Sequence, residues 1–333
     1  MASPSPTAPP AASRRGPSEV VAPSFCVSVD LDPLRCYHHI HALPPVDPSL
    51  ADVILRRALP RFLEVFAQHG IRATFFVVGD DLASESRRQL LRQAATAGHE
   101  LANHSQSHPY ELARLPPHRI EREIGDCHHA LQDLTGRPPV GFRGPGYEIS
   151  APVLEVLEAF GYAYDSSIFP CPPYYLAKAA ILAKMAVLRQ ESRAILGSPR
   201  ALPAPTQPYY PDRRQPFRRG DSPLLEIPIA VTPWLRLPAI GTSLLLPSPL
   251  VPGALRSLLL LGMRTQPFFN LELHGMDLLG ADEDGIPEPL RSRQPDLRAP
   301  LPVRTAALHH VLAALRSRRS ALTLADLAQQ HHR

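Results

Sequence analysis

Ser24-Phe25-Cys26-Val27-Ser28-Val29 runs directly into Asp30-Leu31-Asp32-Pro33, so a short apolar and β-branched segment ends on two carboxylates and a proline. The segment reads as a buried strand whose C-terminal end delivers Asp30 and Asp32. Outward from it the chain alternates. Residues from about Leu50 to His69 carry Val53, Ile54, Leu59, Leu63 and Phe66 at helical spacing and stop at Gly70, with Pro60 expected to kink or split them. Next come a strand at Arg72 to Val78, a helix from about Ser86 to Ala97 closed by Gly98, and a strand at Glu100 to Asn103. A helix from about Pro117 to Thr135 closed by Gly136 and a strand at Val140 to Phe142 repeat the unit. Ser150 stands as an N-cap with Pro152 in the first turn of a helix reaching Phe160 and Gly161, and Tyr162 to Asp165 makes the next strand. Strand, helix, strand units with short connections build a parallel sheet, either open or closed into a barrel with helices outside. Active sites in that architecture sit at strand C-terminal ends.

Between Ser166 and Pro223 the rhythm is lost, and this part reads as an insertion in which proline-rich stretches such as Pro203 to Pro216 flank an amphipathic stretch from Tyr174 to Leu196. Strand-like segments at Leu224 to Pro228 and Pro267 to Leu273, a polar loop from Gly280 to Pro300 and a helix from about Val303 to Arg316 resume the pattern. Ser320 to Leu322 and a last helix from Thr323 close it. Residues 1–23 are rich in Ala, Pro and Ser, hold no apolar core of a signal peptide, and read as a disordered leader. One catalytic domain is expected over residues 24–330.

The 333 residues are 44% hydrophobic, enough to bury a full core. Their net charge of +4 comes from arginines scattered among acids rather than from a basic block, so no nucleic-acid partner is expected. Cys26, Cys36, Cys127 and Cys171 lie far apart with no C-x-x-C pair and read as buried thiols. Without an apolar run of about 18 residues there is no sequence basis for a membrane-spanning helix. The expected location is the cytoplasm. The Tyr174 to Leu196 stretch has a basic amphipathic character, with Lys178, Lys184, Met185, Leu188 and Arg189, that suits either peripheral contact with the inner membrane face or packing over the barrel.

The chemistry concentrates at strand ends. In Asn103-His104-Ser105-Gln106-Ser107-His108-Pro109 two imidazoles follow a strand at a spacing that lets both face one metal ion if the residues between them form a helical turn. A pair at this spacing is also a common surface feature. His38, His39, His41, His128, His129, His309, His310, His331 and His332 read as solvated or incidental. Asp30 and Asp32 sharpen the reading, because two carboxylates at the end of a buried strand are costly unless a metal or hydrogen bonds compensate them. A carboxylate and two neutral imidazoles leave coordination positions open for water and substrate, and the other carboxylate can then accept a proton.

These residues resemble the motifs of the NodB-like polysaccharide deacetylases, carbohydrate esterase family four, in order along the chain. Asp30-Leu31-Asp32 is similar to the paired-aspartate motif in its D-x-D form, which implies Asp30 as catalytic base and Asp32 as metal ligand. His104-Ser105-Gln106-Ser107-His108-Pro109 matches H-[ST]-x-x-H-P, which implies that His104 and His108 are ligands too. Phe142-Arg143-Gly144-Pro145-Gly146-Tyr147 resembles the third motif, implying that Arg143 orients the base and that Tyr147 lines the groove and offers its backbone N–H to an oxyanion. Tyr164-Asp165-Ser166-Ser167 sits where the fourth motif should, without its usual Trp, and implies that Asp165 supports Arg143 or the acid histidine. Leu271-Glu272-Leu273-His274 matches L-x-x-H, whose histidine protonates the departing amine.

The resemblance spans about Ser24 to Gln330. It implies a distorted seven-stranded (β/α) barrel, a divalent metal with zinc as the default, and hydrolysis of an N-acyl, typically N-acetyl, group on an amino sugar. It disfavours the allantoinase-like branch, which lacks a complete metal triad. Deformylation of a lipid-linked amino sugar, hydrolysis of a cyclic imide, and a non-catalytic sugar- or metal-binding barrel stay open. Tyr147, Phe169, Tyr174, Tyr175 and Trp234 are candidates for a sugar-stacking wall or for the core.

Overall fold

The structure is a computed structural model that describes residues 23–187, 189, 191–246 and 254–332, so the leader and Leu188 lie outside the described residues. Its strands are β1 (Ser24–Asp30), β2 (Thr74–Val77), β3 (Glu100–Asn103), β4 (Gly141–Phe142), β5 (Tyr164–Asp165), β6 (Leu225–Glu226), β7 (Phe268–His274) and β8 (Ser320–Leu322). All pair in parallel in the order β6-β5-β4-β3-β2-β1-β7, with β8 beside the first half of β1. The Ala230 N–H donates to the Asn270 carbonyl at 3.1 Å and joins the chain behind β6 to β7. Seven strands thus curl into the distorted barrel expected, with β8 as an eighth, short addition.

Strand alternation sorts side chains into two layers. Phe25, Val27 and Val29 face outward into a large apolar cluster shared with the helices, including Leu59, Phe62 and Phe66 of helix Leu59–Gln68. Cys26 faces inward and packs with Phe76, Ala102, Tyr164 and Leu225, which fill the lower half of the barrel. Helix Leu324–His331 plugs that lower end: its first N–H groups donate to Thr74 Oγ1 at 3.0 Å and Glu100 Oε2 at 3.0 Å, so the helix start is satisfied by the sheet it covers.

Most helices lie where apolar spacing predicts. Pro117–Thr135 buries Ile120, Ile124, Cys127, Leu131 and Leu134 on one face and ends at Gly136, whose φ of 74° a residue with a Cβ would resist. Pro60 does not split its segment: a π-helical turn, Ile54–Ala58, runs without a break into helix Leu59–Gln68, and this wider turn ahead of Pro60 is where the helix absorbs the missing N–H. Ser150 occupies an N-cap position, but its hydroxyl makes no capping bond. Two helices were not legible in the sequence, Leu34–Ile40 directly after the aspartates and Ala254–Met263. The four cysteines are free and buried, as expected. His38 and His128 depart from expectation. Both are buried, the first against the Pro44 carbonyl and the second against the Tyr162 hydroxyl.

Candidate active site

Asp30 closes β1 and Asp32 lies two residues on, so both carboxylates turn to the same side while Leu31 between them joins the outer core. Adjacent aspartates on a regular strand would face opposite sides. Parallel register sets Asp30 beside His274 and Ser28 beside Glu272. His104 follows β3 and is fixed by its N–H to the Val77 carbonyl at 3.0 Å. His108 arrives through an irregular loop and not through the expected helical turn. Asn103 Oδ1 accepts from the Ser105 N–H, Ser105 Oγ from the His108 N–H, and Glu123 from the Gln106 and Ser107 N–H groups. Ser105, His108 and Tyr147 all hold left-handed backbone, at φ 63°, 62° and 64°. Strain of roughly 1–3 kcal/mol each is maintained there by the surrounding bonds.

Asp32 Oδ1 lies 3.3 Å from His104 Nε2 and 3.3 Å from His108 Nε2, and this buried oxygen makes no hydrogen bond. The His104 Nδ1–H donates to the Arg143 carbonyl at 2.7 Å, which leaves the Nε2 lone pair aimed at Asp32. Three ligand atoms thus converge within 4.8 Å of one another, a donor set suited to a divalent cation. Burial opposes charge on all three residues, yet Asp32 is held well below the usual carboxylate range by His108 and His104. His108 is raised to about 9, burial being outweighed by Cys36 and Asp32. Protons held this way are the ones a cation displaces on binding.

Asp30 and His274 flank this cluster. Arg143, fully buried, donates from Nη1 to Asp30 Oδ1 at 2.5 Å, from Nη2 to Ser28 and Ser166 Oγ, and from Nε to the Ser166 carbonyl, and it stacks on Phe76. With Arg143 neutralising Asp30, the grouping of Asp30, Glu272 and His274 is not a second cation site. His274 Nδ1 lies 2.8 Å from Glu272 Oε1, which also accepts from the Tyr147 hydroxyl at 3.3 Å, and His274 Nε2 lies 4.0 Å from Asp32 Oδ2. Burial works against the imidazolium, but Glu272, then Asp30 and Asp32, raise His274 well above its ordinary value. Glu272→Gln keeps an oxygen acceptor and removes the charge. It should lower that pKa, so the alkaline limb of the activity profile moves to lower pH. The sign for stability follows: the His274 contribution is full below about pH 6.5, fades as pH rises through the raised folded value, and should flatten in the variant. An unmoved alkaline limb would assign the proton donor elsewhere.

Two expectations need correction. Asp165 reaches neither Arg143 nor His274 by a hydrogen bond. It accepts from Ser167 Oγ at 2.6 Å and faces Glu226, which burial and the Asp165 charge keep protonated. The Tyr147 N–H donates to the Gly144 carbonyl at 3.2 Å, closing a turn, and is not free for an oxyanion. Glu272 is the functional residue the sequence reading passed over. Its signal was the two-residue spacing to His274 on one strand, which puts both on one face.

The residues surround a cavity of about 200 Å³ lined by Tyr37, Tyr110, Tyr147 and Tyr174 besides the acids and imidazoles. Lys178, Ala194 and Ile195, all from the stretch between β5 and β6, complete the wall, as do Gln294 and Asp296 from the late polar loop. Of the proposed aromatic wall only Tyr147 and Tyr174 line the cavity. Phe169 is core, Tyr175 is buried beside it, and Trp234 stands in solvent.

Residues 50–164 match the family model for polysaccharide deacetylase. A chitooligosaccharide deacetylase of Rhizobium leguminosarum bv. phaseoli is 38% identical over 73 residues, 22% of this chain and 31% of that protein. A peptidoglycan deacetylase of Helicobacter pylori is 30% identical over 120 residues, 35% of this chain and 40% of that protein. The chain thus spans about a third of the length of the curated relatives it matches. Two solved structures share the fold over nearly the whole chain. A Mycobacterium smegmatis protein assigned to the polysaccharide deacetylases has a TM-score of 0.58 at 19% identity, covering 96% of this chain and 93% of that one. Puue allantoinase has a TM-score of 0.56 at 15% identity, covering 93% and 90%. The matched segment carries β2 to β4 with His104, His108 and Arg143, and Asp30, Asp32 and His274 gather around the same cavity, so over that segment the chain is similar to the polysaccharide deacetylases, whose fold it shares.

Proposed function

We propose that the protein is a metal-dependent amide hydrolase that removes an N-acyl group, acetyl in the first instance, from an amino sugar. The observation that carries this reading is the buried Asp32 oxygen facing two imidazole nitrogens at 3.3 Å without a hydrogen bond, flanked by Asp30 on one side and His274 on the other. Asp32, His104 and His108 would hold the cation, zinc by default, which supplies Lewis-acid polarisation of the amide and of water. Asp30, aligned by its hydrogen bond from Arg143, takes the proton of the attacking water. His274, held protonated by Glu272, gives a proton to the departing amine. The Tyr147 and Tyr174 rings offer faces against which a sugar can pack.

The cavity is smaller than the roughly 300–1,000 Å³ of sites that enclose drug-sized ligands, and the insertion walls it. That favours a single acylated sugar, free, lipid-linked or nucleotide-linked, over the middle of a polymer. It keeps hydrolysis of a small cyclic imide as the second reading. The test is metal content of the purified protein together with acetate or formate release from N-acylated sugars, lipid-linked sugars and cyclic imides, with Asp32→Ala alongside. Near-stoichiometric metal and acyl release, both lost in the variant, are expected. Absence of metal from both proteins would overturn the proposal.

A further inference from the structure

We propose that helix Pro172–Val187, the Trp234-Leu235 loop tip and the outer face of helix Ala254–Met263 together seat the protein on an anionic lipid surface beside the mouth of the cavity. Helix Pro172–Val187 is strongly apolar yet buries only Tyr175. Leu176, Ile181 and Val187 are 70%, 60% and 82% exposed. On helix Ala254–Met263, Leu259 and Met263 are buried, while Leu255, Leu258 and Leu261 form a second apolar row facing solvent. Trp234, the single tryptophan of the chain, is 98% exposed, with Leu235 next to it. Apolar surface of this extent on a monomer marks a docking face.

The first helix lines the site, and the base of the Trp234 loop lies against the third element, with Thr232 and Pro233 over Gly262. Tyr174 and Lys178 of the first helix line the cavity. Tyr174 packs with Val231 and Ile240, which bracket the Trp234 loop, and Val231 bridges Pro238 across that loop's base. The tip is built rather than slack. Trp234 and Arg236 hold left-handed backbone, and the Arg236 guanidinium is anchored on the Leu202 and Ala204 carbonyls. Arg256 of the third element donates to the Leu244 carbonyl at 2.7 Å, tying it to helix Gly241–Leu244, whose Thr242 reaches the cavity wall.

Charge names the occupant. No Asp or Glu occurs between Asp165 and Glu191 or between Glu226 and Glu272, the two segments that carry every exposed apolar side chain named above. Their charges are Lys178, Lys184, Arg189, Arg236, Arg256 and Arg264, and the two lysines are the only lysines of the chain. A stretch of chain free of acids, with apolar side chains in solvent, the exposed Lys184 ammonium able to snorkel past them and an indole at its tip, is matched to the headgroup boundary of an anionic bilayer. Among the described residues no helix is long and apolar enough to cross a membrane, so the contact is peripheral.

Trp234 is its own reporter. On addition of vesicles of phosphatidylcholine with about one-third phosphatidylglycerol, the full chain should co-sediment and its tryptophan emission shift to the blue. Phosphatidylcholine alone and high salt should abolish both. Leu176→Glu with Ile181→Glu, both at exposed positions, should eliminate binding at unchanged thermal stability, and Lys184→Gln should weaken partition about fivefold. No co-sedimentation with anionic vesicles, or undiminished binding by the double variant, overturns the proposal. So does a blue shift without vesicles that tracks a doubling of mass by light scattering, which would assign the face to a second copy. Vesicle binding does not depend on the hydrolase reading, so failure of acyl release and failure of this proposal are separately visible.

Discussion

Asp30→Asn should lower the acyl-release rate by about 10²–10⁴-fold while leaving metal content unchanged. The carboxylate stands beside the cluster without being a proposed ligand, its Oδ2 3.8 Å from His104 Nε2. Asparagine keeps the shape and an oxygen for Arg143 but cannot take a proton from water. Metal is retained because Asp32, His104 and His108 are untouched. The same change takes from a fully buried guanidinium its hydrogen-bonded counter-ion, leaving only the more distant Glu272 charge, which costs up to roughly 3–5 kcal/mol when a buried pair loses one partner. Rate, metal content and unfolding midpoint measured on one preparation separate the effects. A rate within tenfold of the parent protein would remove Asp30 from the role of base.

Arg143→Met should destabilise the chain by roughly 3–5 kcal/mol, with activity lost alongside. The guanidinium is completely buried and satisfies Asp30, both Ser28 and Ser166 hydroxyls and the Ser166 carbonyl from one planar fork. Methionine fills the space over Phe76 but leaves the Asp30 carboxylate and the Ser166 carbonyl without their donor, while the two hydroxyls keep their bonds to Asn270 and Ile227. Arg143→Lys guards against a chain that simply fails to fold. It keeps the charge without the fork, so it should recover part of the stability and little of the activity. Denaturant midpoints in the order parent, Lys, Met are expected, and a Met variant as stable as the parent would contradict the network.

The elements that were legible are those whose pattern is local. Helix Pro117–Thr135 and β3 stand where periodicity put them, because a repeat of buried positions ending at a left-handed glycine needs no distant partner to be recognised. Helix Ala254–Met263 was missed because Leu258-Leu259-Leu260-Leu261 is apolar on every face, so no periodic signal separates it from a strand. His104 and His108 were legible as a pair, but their convergence was misjudged: the loop closes through Asn103, Ser105 and Glu123 rather than a helical turn.

By itself the sequence determined the alternation of strands and helices, the placing of Asp30, Asp32, His104, Arg143 and His274 at strand ends, and the buried state of the cysteines. Each depends on short-range periodicity or on the cost of burying a polar group near its own segment. Only the tertiary structure decided the partners. Arg143 reaches Asp30 across 113 positions, and His274 stands beside Asp30 because β7 lies in register with β1. Asp165 turns to Glu226 on the neighbouring strand. Register and strand closure are set by contacts between residues tens to hundreds of positions apart. Hydrogen-bond partners chosen at that range leave no periodic trace in the chain.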